Sequence, residues 1–248
     1  MGEILDSKRR VAYYLQNNGT FVIDNYDLAK PFASFLPGIA GIFGIPMWVF
    51  YVNRGQAIAS FGTENKDNAI LEFFPANRAW QNVSFRGFRT FLKIEDDEKI
   101  VCYEPFQNNI MAGNFEFTRK MLIRSNDFSI QENNQSLDLN IDVDYFTLEN
   151  EPLSCLARRV VIKNVSKTRK KISVLDGLPQ IAPYGVSNWI LKELSRTIEA
   201  WMQVKYVTKE NIPFYKLAVE PADCAKVVKI KGGNFYYNYF IKDSCISK

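Results

Sequence analysis

The chemically most informative feature of this 248-residue sequence is that it contains no histidine. A Ser-His-Asp triad, a Cys-His pair, a histidine general base and a His-ligated zinc site are therefore impossible within the chain. Any catalysis would rest on carboxylates, lysines, tyrosines or cysteines. The four cysteines, at positions 102, 155, 224 and 245, are scattered without a CxxC pair. This spacing is typical of free thiols in a reducing compartment, so we predict a cytoplasmic protein.

Two groups of carboxylates could hold a metal ion or exchange protons. Residues Glu95 to Glu98 form an acidic run between two predicted strands, which is typical of a solvated hairpin tip. Asp138, Asp142 and Asp144 lie on one face of a predicted strand. A straight strand does not supply the converging carbonyl ligands that calcium needs. We therefore predict no metal site and no cofactor.

One polar stretch could contact a hydroxyl-rich ligand. Trp80 stands with Asn77, Arg78, Gln81 and Asn82 in a predicted loop between strands. An aromatic ring beside amides and a guanidinium group is suited to bind a sugar. The alternative interpretation is structural, with Arg78 paired to a carboxylate and Trp80 packed under the loop.

The elements around this stretch are mainly strands. Met47–Val52 and Gln56–Phe61 predict a β-hairpin in which Gly55 takes a positive φ. The preceding segment, residues 31–53, carries no charge but is interrupted by three prolines and three glycines. These breaks argue against a transmembrane helix. We interpret residues 31–47 as an irregular apolar loop, which a soluble protein would expose only to a partner.

Alternation with period two predicts most of the remaining strands. Residues 137–145 alternate apolar and acidic side chains, and the basic segments 158–163 and 170–175 predict a second hairpin near this acidic strand. In residues 83–94, Gly87 interrupts the alternation and indicates a bulge. Further strands are predicted at residues 69–74, 99–103, 115–123, 203–207, 214–219, 227–231 and 235–241.

One helix and the composition complete the predicted architecture. Ser187 can cap a helix whose apolar residues repeat at helical spacing from Ile190 to Trp201. No linker divides the chain, so residues 1–248 are predicted to form a single domain. The fold class is mainly β: a large antiparallel β-sandwich of two sheets with one or a few short helices. The mild net charge of +4 gives no indication of nucleic-acid or membrane-surface binding.

Four segments together resemble the N-terminal domain of inverting β-glucan phosphorylases. The wider relative is the cellobiose phosphorylase group, and the closer one is the β-1,3-oligoglucan phosphorylases. The resemblance covers the chain from about Val11 to Met202 and consists of fold and loop motifs. The segments are Thr20–Tyr26 (TFVIDNY), Ser34–Met47 (SFLPGIAGIFGIPM), Ser84–Leu92 (SFRGFRTFL) and Leu175–Trp189 (LDGLPQIAPYGVSNW).

The resemblance implies a β-sandwich that precedes an (α/α)6 catalytic barrel. In such enzymes phosphate attacks the terminal glucose, an Asp of the barrel protonates the leaving oxygen, and α-glucose 1-phosphate is released. No segment of this sequence resembles the barrel, so no catalytic residue is assigned to it. The implied function is that of a noncatalytic domain within a glycosyltransferase-type phosphorylase, whose co-substrate is inorganic phosphate.

The resemblance also implies partners and a set of substrate-binding residues. The partners are the catalytic barrel, a second copy in a homodimer and an oligosaccharide. In the cellobiose phosphorylase group a loop of the sandwich domain reaches the active site of the neighbouring subunit. The matching positions along this chain give the candidate residues Asn65, Lys66, Asn77, Arg78 and Trp80.

Two functions from other classes remain open at this point. An independent carbohydrate-binding module is the main alternative, and a dimerisation domain is the other. The apolar segment 31–47 is less compatible with a free-standing module, because such a module would leave it exposed.

Overall fold

A computed structural model describes residues 9–96, 99–107, 115–206, 212–221 and 225–241. These residues form antiparallel strands and a few short helices, as the sequence predicts. The strands run Ala12–Leu15 (β1), Phe21–Asp24 (β2), Ala33–Ala40 (β3), Ile45–Val52 (β4), Ile58–Thr63 (β5), Ala69–Leu71 (β6), Arg89–Asp96 (β7), Lys99–Tyr103 (β8), Phe117–Ile123 (β9), Asp127–Asn134 (β10), Leu139–Thr147 (β11), Leu156–Asn164 (β12), Lys171–Gly177 (β13), Met202–Tyr206 (β14), Pro213–Leu217 (β15) and Asn234–Phe235 (β16). The α-helices are Ala76–Arg86 (α1) and Asn188–Glu193 (α2), and short 3-10 helices span Tyr26–Leu28, Lys66–Asn68 and Ser195–Trp201.

Hydrogen bonding divides the strands among four sheets. Their orders are β1-β2-β9-β10-β11-β12, β3-β4-β5-β6, β13-β7-β8 and β14-β15-β16. The main core lies between the inner faces of the first three of these sheets. Ring contacts join them: Tyr51 of β4 stacks on Phe128 of β10 at 4.8 Å, and Phe88 meets Tyr145 of β11 at 5.8 Å. None of the helices in the described ranges is long and apolar enough to cross a membrane.

The prediction of an irregular loop before Met47 is wrong. Residues 33–40 form β3, which pairs with β4 from Ala33↔Val52 to Ala40↔Ile45. A proline inside a sheet costs a ladder hydrogen bond, but β3 lies at the sheet edge and Pro37 is tolerated there. The hairpin from β4 to β5 is confirmed, and Gly55 in its turn has a φ of +55°.

Residues 83–86 were predicted to begin a strand, and this prediction is also wrong. They form the last turn of α1, and β7 begins only at Arg89. Gly87 caps this helix rather than forming a bulge, because its N–H donates to the carbonyl of Val83. A Cβ at this position would lie 2.7 Å from the Val83 carbonyl oxygen and 2.8 Å from that of Ile58. The glycine therefore allows α1 to end directly against β5.

The second predicted hairpin is not formed. β12 pairs with the acidic strand β11, whereas β13 pairs with β7 in another sheet. The predicted proximity of basic and acidic strands is confirmed, since Arg159 of β12 forms an ion pair with Asp144 of β11 at 2.7 Å.

The C-terminal part agrees with the sequence in outline. Ser187 caps α2 by accepting a hydrogen bond from the Ile190 N–H, but the helical stretch continues from Ser195 as a 3-10 helix. Ile198 and Leu217 of β15 share a small core there. Residues 227–231 form no strand, and only an isolated bridge joins Lys229 to Val219.

Candidate functional site

The outer side of the β3-β4-β5-β6 sheet carries a row of aromatic rings that we call the aromatic face: Phe35, Trp48, Phe50 and Phe73. Side chains alternate along a strand, so Phe35 and Trp48 point away from the core while Leu36 and Val49 point into it. The rings of Phe35 and Trp48 stack at 5.3 Å. Phe50 lies 4.8 Å from Phe35, and Phe73 lies 5.0 Å from Trp48.

Helix α1 covers only one end of this sheet. Its Ala79 and Val83 pack on Val52, Ala59 and Phe50. Beyond the helix, Phe35 remains 46% exposed and Trp48 37% exposed. Among the residues that the structure describes, no second layer covers the Phe35 and Trp48 end of the aromatic face.

The apolar surface continues to the turn between β3 and β4. Gly41 and Gly44 take positive φ values of 75° and 64° and close this turn. Ile39, Ile42 and Phe43 are all exposed, and Phe43 is 90% accessible. We call these three side chains the hairpin tip. The tip and the aromatic face lie on the same pair of strands.

A polar pair borders the aromatic face. Glu72 follows β6, and its carboxylate accepts a hydrogen bond of 2.8 Å from Arg86 at the end of α1. The guanidinium group also lies 4.4 Å above the Phe74 ring and 2.9 Å from the side-chain amide of Gln180, which accepts a hydrogen bond when its oxygen faces Arg86. Burial raises the pKa of Glu72, and the positive charge of Arg86 opposes this shift. The pair fixes the end of α1 against the segment that follows β13.

Two of the predicted substrate-binding residues, Asn65 and Lys66, lie in the turn between β5 and β6. Both are exposed. The Asn65 side chain accepts a hydrogen bond from the Asp67 N–H at 2.8 Å, so it caps the short 3-10 helix. Among the residues that the structure describes, no hydrogen bond or ion pair joins these two residues to Asn77, Arg78 or Trp80.

The other three predicted residues lie on helix α1 and not in a loop. Asn77 and Arg78 are exposed in its first turn. Trp80 is half-buried, and its indole N–H donates to the Asn53 side chain at 3.1 Å. Arg54 lies over the Trp80 ring at 4.5 Å. The indole N–H and one face of the Trp80 ring are therefore already in contact with other residues of the protein.

Asn53 explains why Trp80 is held there. Its buried side-chain amide donates to the carbonyls of Tyr26 and Ala29, while its oxygen accepts from the Phe32 N–H at 2.9 Å as well as from Trp80. This asparagine ties the chain between β2 and β3 to the end of β4. Trp80 closes that connection from helix α1.

Of the candidate carboxylates, Glu95, Asp138 and Asp144 form ion pairs with lysine or arginine side chains. Hydrogen bonds from Lys171 and then Lys93 lower the pKa of Glu95 to about 2. Asp97 and Glu98 lie outside the described residues. Within the described part of the chain, no group of three or more carboxylate or thiol side chains could hold a metal ion.

Sequence reasoning identified the apolar character of residues 31–47 but not the aromatic face. The available signal was the two-residue spacing of Trp48 and Phe50 on β4. It was missed for β3 because Pro37 was taken as a strand breaker. No protein-family model matches the chain, and no curated protein matches its sequence.

Proposed function

We propose that this chain is a noncatalytic domain of a glycoside phosphorylase that converts a β-glucan oligosaccharide and phosphate to α-glucose 1-phosphate. In this proposal the aromatic face and the hairpin tip pack against the catalytic barrel. The observation that carries it is the exposure of Phe35, Trp48 and Phe43 on the hairpin formed by β3 and β4. Contiguous exposed apolar surfaces on soluble proteins mark interaction sites.

The core arrangement supports the sandwich form of this proposal. In the sandwich that we propose, the six-stranded sheet is one layer and the β3-β4-β5-β6 and β13-β7-β8 sheets form the other, since residues of all three line one core. The domain assists assembly of the enzyme and borders its sugar site. It uses no cofactor, and inorganic phosphate is the co-substrate of the whole enzyme.

The ring geometry distinguishes an interface from a sugar platform. A pyranose ring stacks on a free aromatic face. Phe35 and Trp48 each contact two neighbouring rings, so much of their flat surface is already covered. This partial coverage by neighbouring rings favours a protein partner. An independent carbohydrate-binding module remains the second candidate, because Trp48 still exposes part of its ring.

The noncatalytic assignment is tested by activity. The chain, incubated with laminari- or cello-oligosaccharides and phosphate, is expected to release no glucose 1-phosphate. A turnover of about one per second or more, as in ordinary enzymes, would overturn the proposal. Saturable oligosaccharide binding that Trp48→Ala abolishes would favour the binding module instead.

The aromatic face and the hairpin tip are tested by solubility. Phe35→Ser and Ile42→Ser are expected to raise the solubility of the isolated chain and to suppress large aggregates in static light scattering, because each removes exposed apolar surface. Val165→Ser is the matched control, since Val165 is similarly exposed but lies beyond the end of β12. Equal behaviour of all three variants and the unchanged chain would count against the face as an interface.

A further inference from the structure

Strand β14 forms an open edge of the β14-β15-β16 sheet. It lies at the end of the strand order, and among the residues that the structure describes it pairs with β15 alone. All five of its residues are exposed. Natural proteins usually protect a sheet edge with proline, a bulge or several charges. β14 contains no proline or glycine, and Lys205 is its single charged residue.

The backbone groups of alternate β14 residues point towards this open edge. The Ala218 N–H donates to the Trp201 carbonyl at 2.7 Å, which marks these two residues as a hydrogen-bonded pair of the antiparallel ladder. Such pairs recur at every second residue, so Gln203 and Lys205 also bond to β15. The N–H and C=O groups of the residues between them point away from β15.

The hydrogen bonds on the other side of β15 confirm this alternation. The Leu217 N–H donates to the Tyr184 carbonyl, and the Tyr215 carbonyl accepts from the Tyr184 N–H. Residues 215 and 217 therefore bond away from β14. Within the described ranges, no hydrogen bond reaches the Met202 carbonyl or the backbone groups of Val204 and Tyr206 at the edge. The Met202 N–H is used by the Glu199 carbonyl.

The side chains of β14 divide cleanly between its two faces. Met202, Val204 and Tyr206 lie on one face, and Gln203 and Lys205 lie on the other. The apolar face continues the one that packs under the 3-10 helix, because Met202 stands opposite the buried Leu217. Val204 and Tyr206 extend this surface beyond the helix, and Val204 is 52% exposed.

We propose that a second copy of this chain pairs antiparallel with β14, with Val204 of each copy opposite the other on a two-fold axis. In this register Val204 exchanges both backbone hydrogen bonds with its counterpart. The Tyr206 N–H of each copy donates to the Met202 carbonyl of the other. The Val204 N–H and C=O, the Tyr206 N–H and the Met202 C=O then all have partners, and the two sheets join into one.

Side-chain complementarity selects this register. Met202 of one copy lies beside Tyr206 of the other on the apolar face, and Lys205 lies beside Gln203 on the polar face. Moving the axis by one residue to Lys205 places two ammonium groups directly opposite each other, which is unfavourable. This dimer edge is separate from the aromatic face, so the two proposals fail independently.

The oligomeric state of the 248-residue chain tests this proposal. Sedimentation velocity is expected to show a concentration-dependent species of twice the 28.6 kDa chain mass. Val204→Lys places two like charges on the axis and is expected to weaken dimerisation at least tenfold. Val161→Lys is the matched control, because Val161 is 42% exposed on the edge strand of another sheet. A monomeric wild-type chain, or equal effects of both substitutions, would overturn the proposal.

A disulfide test keeps the proposal falsifiable if the lysine variant folds poorly. In a chain whose four cysteines are replaced by serine, Val204→Cys is expected to form a covalent dimer on mild oxidation. Hydrogen-bonded antiparallel pairs have a Cα separation of about 5.5 Å, which a disulfide can bridge. Lys205→Cys lies opposite Gln203 and is expected to remain monomeric. Equal crosslinking at both positions, or none at position 204, would contradict the register.

Discussion

Replacing Arg119 with methionine is expected to lower the free energy of unfolding by about 3–5 kcal/mol, because it leaves the buried Glu132 carboxylate without its counter-ion. Arg119 lies on β9 and its side chain is fully buried. Its Nε donates to Glu132 of β10 at 2.8 Å, and Nη1 donates to Asp27 at 3.0 Å. Both carboxylates are almost completely buried as well.

The surrounding groups donate hydrogen bonds to both carboxylate oxygens of Glu132. The Tyr103 hydroxyl donates to one of its carboxylate oxygens at 2.5 Å, and the Phe106 N–H donates to the other at 2.7 Å. Burial raises the pKa of Tyr103 and that of Tyr26, so both phenols keep their protons at neutral pH. Burial opposes the charge of Arg119, but Glu132 and Asp27 outweigh it and raise the pKa of this guanidinium group. Methionine fills similar space without supplying the charge.

Urea unfolding followed by circular dichroism measures this effect. Lys120→Met is the matched control, because Lys120 is the next residue on β9 and pairs with Asp24 at 3.3 Å at the surface. Lys120→Met is expected to lower the free energy of unfolding by at most about 1 kcal/mol. Adding Glu132→Gln to the Arg119 variant is expected to restore part of the loss. Similar midpoints for the two single variants would show that the buried network contributes little.

The same network explains why β10 was not predicted from the sequence. Its residues, DFSIQENN, read as a polar segment. Ser129, Glu132 and Asn134 are nevertheless buried, and the charge partner of Glu132 comes from the neighbouring strand. A single-sequence pattern records polarity but not the partner that compensates for it. Strand β11 was predictable because its buried residues are all apolar at every second position.

Helix α1 was missed for a different reason. Its buried side is formed mainly by Ala79 and Val83, while Asn77, Arg78 and Gln81 face outward. Two small apolar residues in eleven do not produce a clear helical period. Because the predicted polar loop is a helix, the candidate site also differs from the predicted one. The exposed rings suited to a partner surface lie on β3 and β4. Phe35 and Trp48 come together only through the pairing of these strands.

Replacing Arg158 or its neighbour Arg159 on β12 with methionine is expected to lower the free energy of unfolding by very different amounts. Both pair with an aspartate, and alternation along the strand points them to opposite faces. Arg158 is 6% exposed and donates to Asp176 of β13 at 2.5 Å, whereas Arg159 is 68% exposed and donates to Asp144 at 2.7 Å. The distances are nearly equal, so burial decides the outcome.

Arg158→Met is expected to cost about 2–4 kcal/mol, because the guanidinium group also serves the buried Gln56 and Thr90 side chains, which lose a charged partner. It further joins β12 to β13, two strands of different sheets that no backbone ladder connects. Arg159→Met removes an ion pair that solvent screens, and it is expected to lower the free energy of unfolding by at most about 1 kcal/mol. Thermal and urea unfolding of the two variants measure this difference. Equal losses would mean that the contact between these sheets depends on apolar packing alone, since the bridging charge would then add nothing to it.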